Sequence, residues 1–412
     1  MKTFLLLMLF ASPAMAGELA SPFALETTKV LPPGVRNPRF INVYTGIDEK
    51  FSGLGQAETL GQPLYRPVTW NLVLKTQDDD AKRATVMGLV QANGLEGKSP
   101  GHTTGSVSTF ANIRVPALAY GVTRRFTLAV AVPIVNIDVN ADTGFVASGD
   151  GLRFINAAAD SSPALGREAQ NKLNNSVDEK LKWAGMEPIA PFQVRGVGDV
   201  QVVSKFLLHD GGSTSFALKE TFILPTGSVQ ANPDRAIDIP TTDDRLGMGS
   251  QAIYNQELFW NMTLVGTAGY TAYLPHRIVK RLPDAADDPI SRDKEDLQEN
   301  FRHLVATTAG IEKRFERLGL AVSGGYTGQY QSKVSYEPGL LAQGERLEWL
   351  RNLQPSQTLH SFLATAGFST VSWYRNKKFF YPFEVKLAYS RPFAGRNATT
   401  NELVAAELVL FF

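Results

Sequence analysis

The chain contains no cysteine. Disulfide staples and thiolate metal sites are therefore excluded. It also lacks a surplus of either charge: 41 Lys and Arg stand against 40 Asp and Glu, a formal net charge of +1. That balance argues against a nucleic-acid binder. Histidine is scarce, and the five present (His102, His209, His276, His303, His360) include no i, i+4 metal pair. The carboxylate runs "DDD" at 78–80 and "DAADD" at 284–288 lack the glycine and distant glutamate of a calcium loop, so they read as solvated loop charge. "GLGQ", "GVGD" and "GMGS" have no following helix and lysine, so they are not phosphate loops. No cofactor and no metal site is expected. Beyond the first residues there is no apolar run of about 18 residues, which excludes a transmembrane helix.

What is present begins with "MKTFLLLMLFASPAMA". Lys2, the short apolar run Phe4 to Phe10 and the small-x-small site Ala14-Met15-Ala16 spell a secretory signal peptide over 1–16, too short to span a bilayer. Residues 17–39 follow with Pro32 and Pro33 adjacent and little periodicity. They form either a periplasmic tether or a plug inside a barrel. The plug is favoured, because Phe23, Leu25, Val30 and Leu31 would otherwise sit in water.

From residue 40 onward, runs of period two recur. In "DVQVVSKFLL", Val200, Val202, Phe206 and Leu208 share one face with only Ser204 among them, while Asp199, Gln201 and Lys205 lie opposite. That is a strand with one oily side. "TSFALKETFIL" repeats the pattern after the turn "HDGGS". Ten more runs follow the same rule, ending with "NELVAAELVLFF". The connections alternate between tight turns and longer loops, the longest over 54–106 and 146–196. An even number of antiparallel strands, with short turns at one end and long loops at the other, describes an outer-membrane barrel. The fold class is therefore all-β, a transmembrane antiparallel β-barrel of about 12 strands over 40–412. Short helices are expected in the two longest loops, at 78–94 and 163–186. The last strand puts Val404, Ala406, Leu408, Leu410 and Phe412 on one face, which must meet outer-membrane lipid. Its partner must be the first strand, because hydrocarbon cannot satisfy the hydrogen bonds of a free edge. A terminal aromatic after alternating apolar residues also resembles the signal read by barrel-assembly machinery, with Phe412 as its key residue.

Facing away from lipid, Asp199, Gln201, Lys205, Lys219, Glu257, Glu384 and Lys386 are candidates to line the lumen. Their mixed signs favour cross-pairing within a narrow barrel over a one-signed ion filter. Glu220 falls on the lipid side of its strand, which implies a bulge or a place at the rim. Pro116, Pro133 and Pro382 interrupt strands, and Pro225 closes one. Proline lacks a ladder donor, so Pro116 and Pro133, in adjacent strands, mark either local bulges or a weakened wall. Catalysis is not expected. His360 and Ser361 are adjacent on a strand and point to opposite faces, and nothing in the sequence points to the other arrangement, a lumenal His303 with a loop Asp.

At "RGVGDVQVVSKFLL…TSFALKETFILPTGS" the sequence resembles the outer-membrane family linked to the meta-cleavage pathway of phenol degradation. The matching residues are Gly196, Gly198, Asp199, Lys205 and Pro225-Thr226-Gly227. The resemblance implies a transporter similar in kind to the long-chain fatty-acid and aromatic-hydrocarbon channels. The expected function is passive uptake of small, hydrophobic or aromatic molecules. The alternatives are a general diffusion porin or a structural, surface-interaction barrel.

Overall fold

The computed structural model describes residues 25–412 apart from Thr76, Asp78 and Asp287; the expected signal peptide, its cleavage site and Phe23 lie outside the described residues. Twelve strands close an antiparallel barrel. They are β1 (Arg36–Ile47), β2 (Gly101–Thr123), β3 in two pieces (Phe126–Ala131 and Ile134–Ala147), β4 in two pieces (Phe192–Val197 and Val200–Asp210), β5 (Thr214–Leu224) and β6 (Gly247–Glu257). The ring continues with β7 (Met262–Tyr273), β8 (Arg302–Phe315), β9 (Leu320–Gln331), β10 (Gln357–Ser369), β11 (Phe383–Arg396) and β12 (Glu402–Leu410). Phe40 of β1 lies opposite Leu408 of β12 on one side and Pro116 of β2 on the other, so the sheet has no free edge.

The two-residue period sets which side meets lipid. On β12, Val404 and Leu408 are exposed while Leu403, Ala405 and Val409 are buried. The terminal Phe412 is tied down by paired backbone hydrogen bonds with Arg36, 3.0 Å each way, and its ring meets Tyr381 edge-on. In the β6–β7 turn, Trp260 and Asn261 both take positive φ (58° and 56°). That is the backbone of a tight hairpin turn with primed geometry. It leaves Phe259 and Trp260 exposed at the short-turn end, where aromatic residues anchor a barrel at the bilayer interface.

Strands β2, β3 and β4 run further than the alternation of oily residues suggested. β2 begins at Gly101, so the loop before it is shorter than 54–106, and Phe192–Val197 likewise trims the loop over 146–196. The added stretches, such as "GHTTGSVS", carry polar residues on the outward face, so a search for an outward oily face passes over them. The connection between β10 and β11, which contains "RNKK", is longer than a tight turn. Val371–Arg375 is helical, and Thr370 Oγ1 holds the connection shut by donating to Tyr381 O (2.8 Å) and accepting from Phe383 N (2.9 Å). Pro382 therefore lies before β11 and not within it.

Helices pack in the loops after β1 and β3. α1 (Trp70–Lys75) and α2 (Asp80–Ala92) come from the first loop; Asp79 caps α2 by accepting from Ala81 N. α3 (Gly149–Ser161), α4 (Pro163–Asn174) and α5 (Ser176–Trp183) come from the second. The single helix expected at 163–186 is broken at Asn175. α3 was hidden by the glycines at its start, Gly149 and Gly151. α1 to α4 share one apolar core around Trp70, Val90, Leu95, Phe154 and Leu173.

Candidate functional site

Three features meet inside the barrel: a strap from the N-terminal segment, a set of wall charges and a break in the wall. The strap comprises residues 25–35. Leu25 is buried against Val265 of β7 and Leu363 of β10. A side-chain carbon at Gly310 of β8 would lie 2.8 Å from Leu25 Cδ2, so glycine there makes room for the strap. Glu26 reaches Lys205 of β4 (2.5 Å) and Lys219 of β5 (3.5 Å). Thr28 Oγ1 sits 2.6 Å from Ser215 Oγ, and Leu31 N donates to Thr127 Oγ1 of β3 (2.8 Å). The strap leaves along β2, where Gly34 N donates to Gly121 O (2.8 Å) and Gly121 N to Val35 O (2.9 Å).

The charged candidates separate into groups. Lys205 and Lys219 converge on Glu26, a partner the strand pattern could not supply because it lies outside the strands. Lys386 lies 3.7 Å from Glu384 and 3.6 Å from Glu407, and Arg39 of β1 reaches Glu407 at 3.4 Å. Glu257 is exposed at the short-turn end of β6, and Gln201 is fully buried. Asp199 is buried and serves as a clasp. It accepts from Thr226 N (3.1 Å), Gly227 N (3.0 Å), Thr242 Oγ1 (2.6 Å) and Asp243 N (3.2 Å), tying the start of β4's second piece to the loop after β5.

The break runs across two strands. β3 is interrupted at Val132-Pro133 and β4 beside it at Gly198-Asp199. Gly198 N donates to Pro133 O (2.8 Å), and Val132 N donates to Pro116 O (3.1 Å). A residue's N–H and C=O point to the same neighbour in an antiparallel ladder. The donor that Pro133 lacks would thus have aimed at β4, and one bond of the pair is missing at the break. Pro116 stays within β2, opposite Phe40. Behind the break the inner surface is apolar: Ile113, Val115, Val135, Ile237 and Ile239 are buried together with Ala131 and Val229 at the margin.

The structure bears on two further sequence readings. Of the two readings of Glu220, a bulge or a place at the rim, the bulge is excluded on its own strand. The register shift near Phe216 and Ala217 adds its extra residue to β4, leaving the parity of β5 intact. Glu220 faces outward between Ser204 and Ser250, and Ser250 Oγ donates to it at 2.8 Å. His303 is not lumenal: it pairs with outward-facing Tyr270, Oη to Nδ1 at 2.7 Å. His360 repeats the arrangement with Tyr326 at 2.5 Å and stacks near Phe393.

No family model and no curated protein matches this chain. Among solved structures it is similar to an outer-membrane channel of Pseudomonas putida F1, with a TM-score of 0.51 and 10% identity over 93% of this chain and 98% of that one. Weaker likenesses include the Pseudomonas putida toluene transporter TodX (TM-score 0.35, 8% identity, 92% and 90% covered) and a Pseudomonas aeruginosa FadL homologue (0.33, 10%, 97% and 96%). The fold is that of an outer-membrane β-barrel, and the chain resides in the bacterial outer membrane. The resemblance to the phenol meta-cleavage family has no family model behind it. What the superposition supports is the shared barrel fold.

Proposed function

We propose that this barrel is a passive channel for small apolar molecules, which enter at the long-loop end and leave sideways through the wall at Pro133 and Gly198. The observation that carries this reading is the pairing of two adjacent strand breaks with an apolar inner surface directly behind them. Ile113, Val115, Val135 and Ile239 pack together there, so a molecule passing this way meets an apolar surface, and an apolar molecule is transferred from water at a gain of roughly 25 cal/mol per Å² it buries. Release into lipid then needs no polar exit. The Pseudomonas putida F1 barrel of similar fold is an outer-membrane channel, which supports the class. We read the strap 25–35 as the plug that closes the straight route through the lumen. A general diffusion porin needs that route open, so the strap weighs against it.

Replacing Pro133 by Val supplies the missing ladder donor toward β4 and should seal the break. Cells carrying Pro133→Val are expected to admit a naphthylamine dye that fluoresces on reaching the bilayer several-fold more slowly than wild type. The heat-shifted band of the folded barrel on a detergent gel should be unchanged. Equal dye uptake by the two barrels would remove the lateral route.

A further inference from the structure

Above the lumen, at the long-loop end, lies a cavity of about 350 Å³ that the channel reading does not use. It is enclosed by the loop after β5, by a loop hairpin (His276–Arg281 paired with Lys294–Glu299) and by the segments flanking β9 and β10. Its size falls within the range of small-molecule sites. Ile278, Val279, Val334 and Pro355 give it apolar walls, and Arg245, His276, Lys280 and Arg302 line it together with the carboxylates Asp243, Asp244 and Glu299.

The charged wall is short of acceptors. Arg245 and Arg302 share a single carboxylate oxygen, Glu299 Oε1, at 2.6 and 3.0 Å, and Arg302 also lies 3.3 Å from Asp243. Arg245, Arg302, Lys280 and Glu299 are all more than nine-tenths buried. Nε and Nη1 of Arg245, Nε of Arg302 and both ring nitrogens of His276 are buried with no hydrogen-bond partner among the described residues. Unsatisfied guanidinium donors are costly, since buried charges are normally paired and hydrogen-bonded. The local field agrees with the geometry. Burial, reinforced by Arg245, holds the His276 imidazole down at about 4. Burial likewise brings Lys280 to about 8, against the opposing pull of Glu299. Burial alone would raise Glu299, but Arg302 and Arg245 outweigh it and hold the carboxyl at about 2.

We propose that this cavity binds a small organic carboxylate, with its carboxyl group received by Arg245 and Arg302 and its apolar body against Ile278 and Val334. Planar guanidinium groups recognise carboxylates through paired, charge-assisted hydrogen bonds. The ligand's carboxylate adds an acceptor for the two guanidinium groups and relieves Glu299 Oε1 of serving both. Inorganic phosphate offers the same oxygens without the apolar body, and a neutral aromatic alcohol offers the body without the charge. The proposal rests on the channel reading only for the fate of a captured molecule; binding itself needs no transport, so failed uptake and failed binding are separate results.

The test is calorimetric titration of the folded full-length mature barrel in detergent micelles with benzoate, benzyl alcohol and inorganic phosphate. Saturable benzoate binding is expected, at least tenfold tighter than either of the others. Arg245→Gln should weaken benzoate at least tenfold while keeping the heat-shifted band, and His276→Gln should weaken it less. Absence of saturable benzoate binding, or equal affinity for benzoate and benzyl alcohol, overturns the proposal on the wild-type chain alone. Phosphate binding as tight as benzoate overturns the assignment of an apolar-bodied ligand. A folded Arg245→Gln barrel with undiminished benzoate affinity overturns the assigned residues.

Discussion

On β8 and β9 the inward side chains are Thr308, Glu312, Ser323 and Thr327, and the outward ones are Val305, Ile311, Val322 and Tyr326. On the long-loop halves of β2 and β3 the order is reversed. Ile113, Val115, Val135 and Ile137 are buried inside, while Asn112, Arg114, Asn136 and Asp138 face out. The first wall is built for lipid, the second for water. A crossing takes about 9–11 residues, yet β2 has 23. The surplus rises beyond the bilayer as an ordinary soluble sheet with its core inside the barrel mouth. The outward face changes character between Leu118 and Arg114 on β2, between Ile134 and Asn136 on β3, and between Val197 and Arg195 on β4. The breaks at Val132-Pro133 and Gly198-Asp199 sit at this boundary, where an apolar interior comes closest to the outer edge of the lipid.

The largest test of this contrast places one charge in each interior. Ile113→Asp buries a carboxylate among Val and Ile with no partner, at a cost of at least about 3 kcal/mol. Thr308→Asp sits between Thr267 and Thr327 and should cost under about 1 kcal/mol, since polar neighbours and water can solvate it. The check is the urea midpoint of the barrel refolded in lipid vesicles. Similar losses in the two variants would mean that the interiors do not differ in polarity as their residues suggest.

A second pair moves the charge outside. Leu118→Arg faces lipid and should cost about 2–4 kcal/mol, falling toward 1 if it lies at the interface. Asn112→Arg, on the same face of the same strand but past the boundary, should cost almost nothing. The same vesicle titration reads both, and an Asn112→Arg loss matching that of Leu118→Arg would move the membrane boundary outward along β2.

The ring of twelve was legible because the alternation of Val200, Val202, Phe206 and Leu208, and its repeats, is dictated by a lipid face on one side. The pairing of β12 with β1 followed from the need to leave no edge. The extensions of β2 to β4 were not legible, because reading them requires the opposite rule, with oily residues inward. Without the barrel, nothing says that Val107 and Ile113 share a core with Leu60 of one loop and Ile239 of another. The lysines at 205 and 219 could be assigned to the inner face by parity. Their partner Glu26 could not, because it sits in an aperiodic segment. The cluster of Arg245, Glu299 and Arg302 gave no signal for the same reason: its members come from two loops and a strand end, and only the fold brings them together.

The smallest test uses two tyrosine hydroxyls on the outward face. Tyr326 Oη meets His360 Nδ1 at 2.5 Å on the lipid-facing side, while Tyr44 Oη accepts from Asn42 Nδ2 at 2.6 Å on β1, opposite Asn112 of β2. Where hydrocarbon surrounds the pair, losing the hydroxyl leaves an imidazole nitrogen without a replacement partner, and Tyr326→Phe should lower stability by about 0.5–1.5 kcal/mol. Where water surrounds it, the freed amide hydrogen is taken up by solvent, and Tyr44→Phe should change stability by less than about 0.5 kcal/mol. The two substitutions remove the same atom, so the difference between their urea midpoints isolates the surroundings. Equal shifts would place Tyr44 in lipid too, and the boundary on β1 would then lie at least one outward residue farther from the short-turn end.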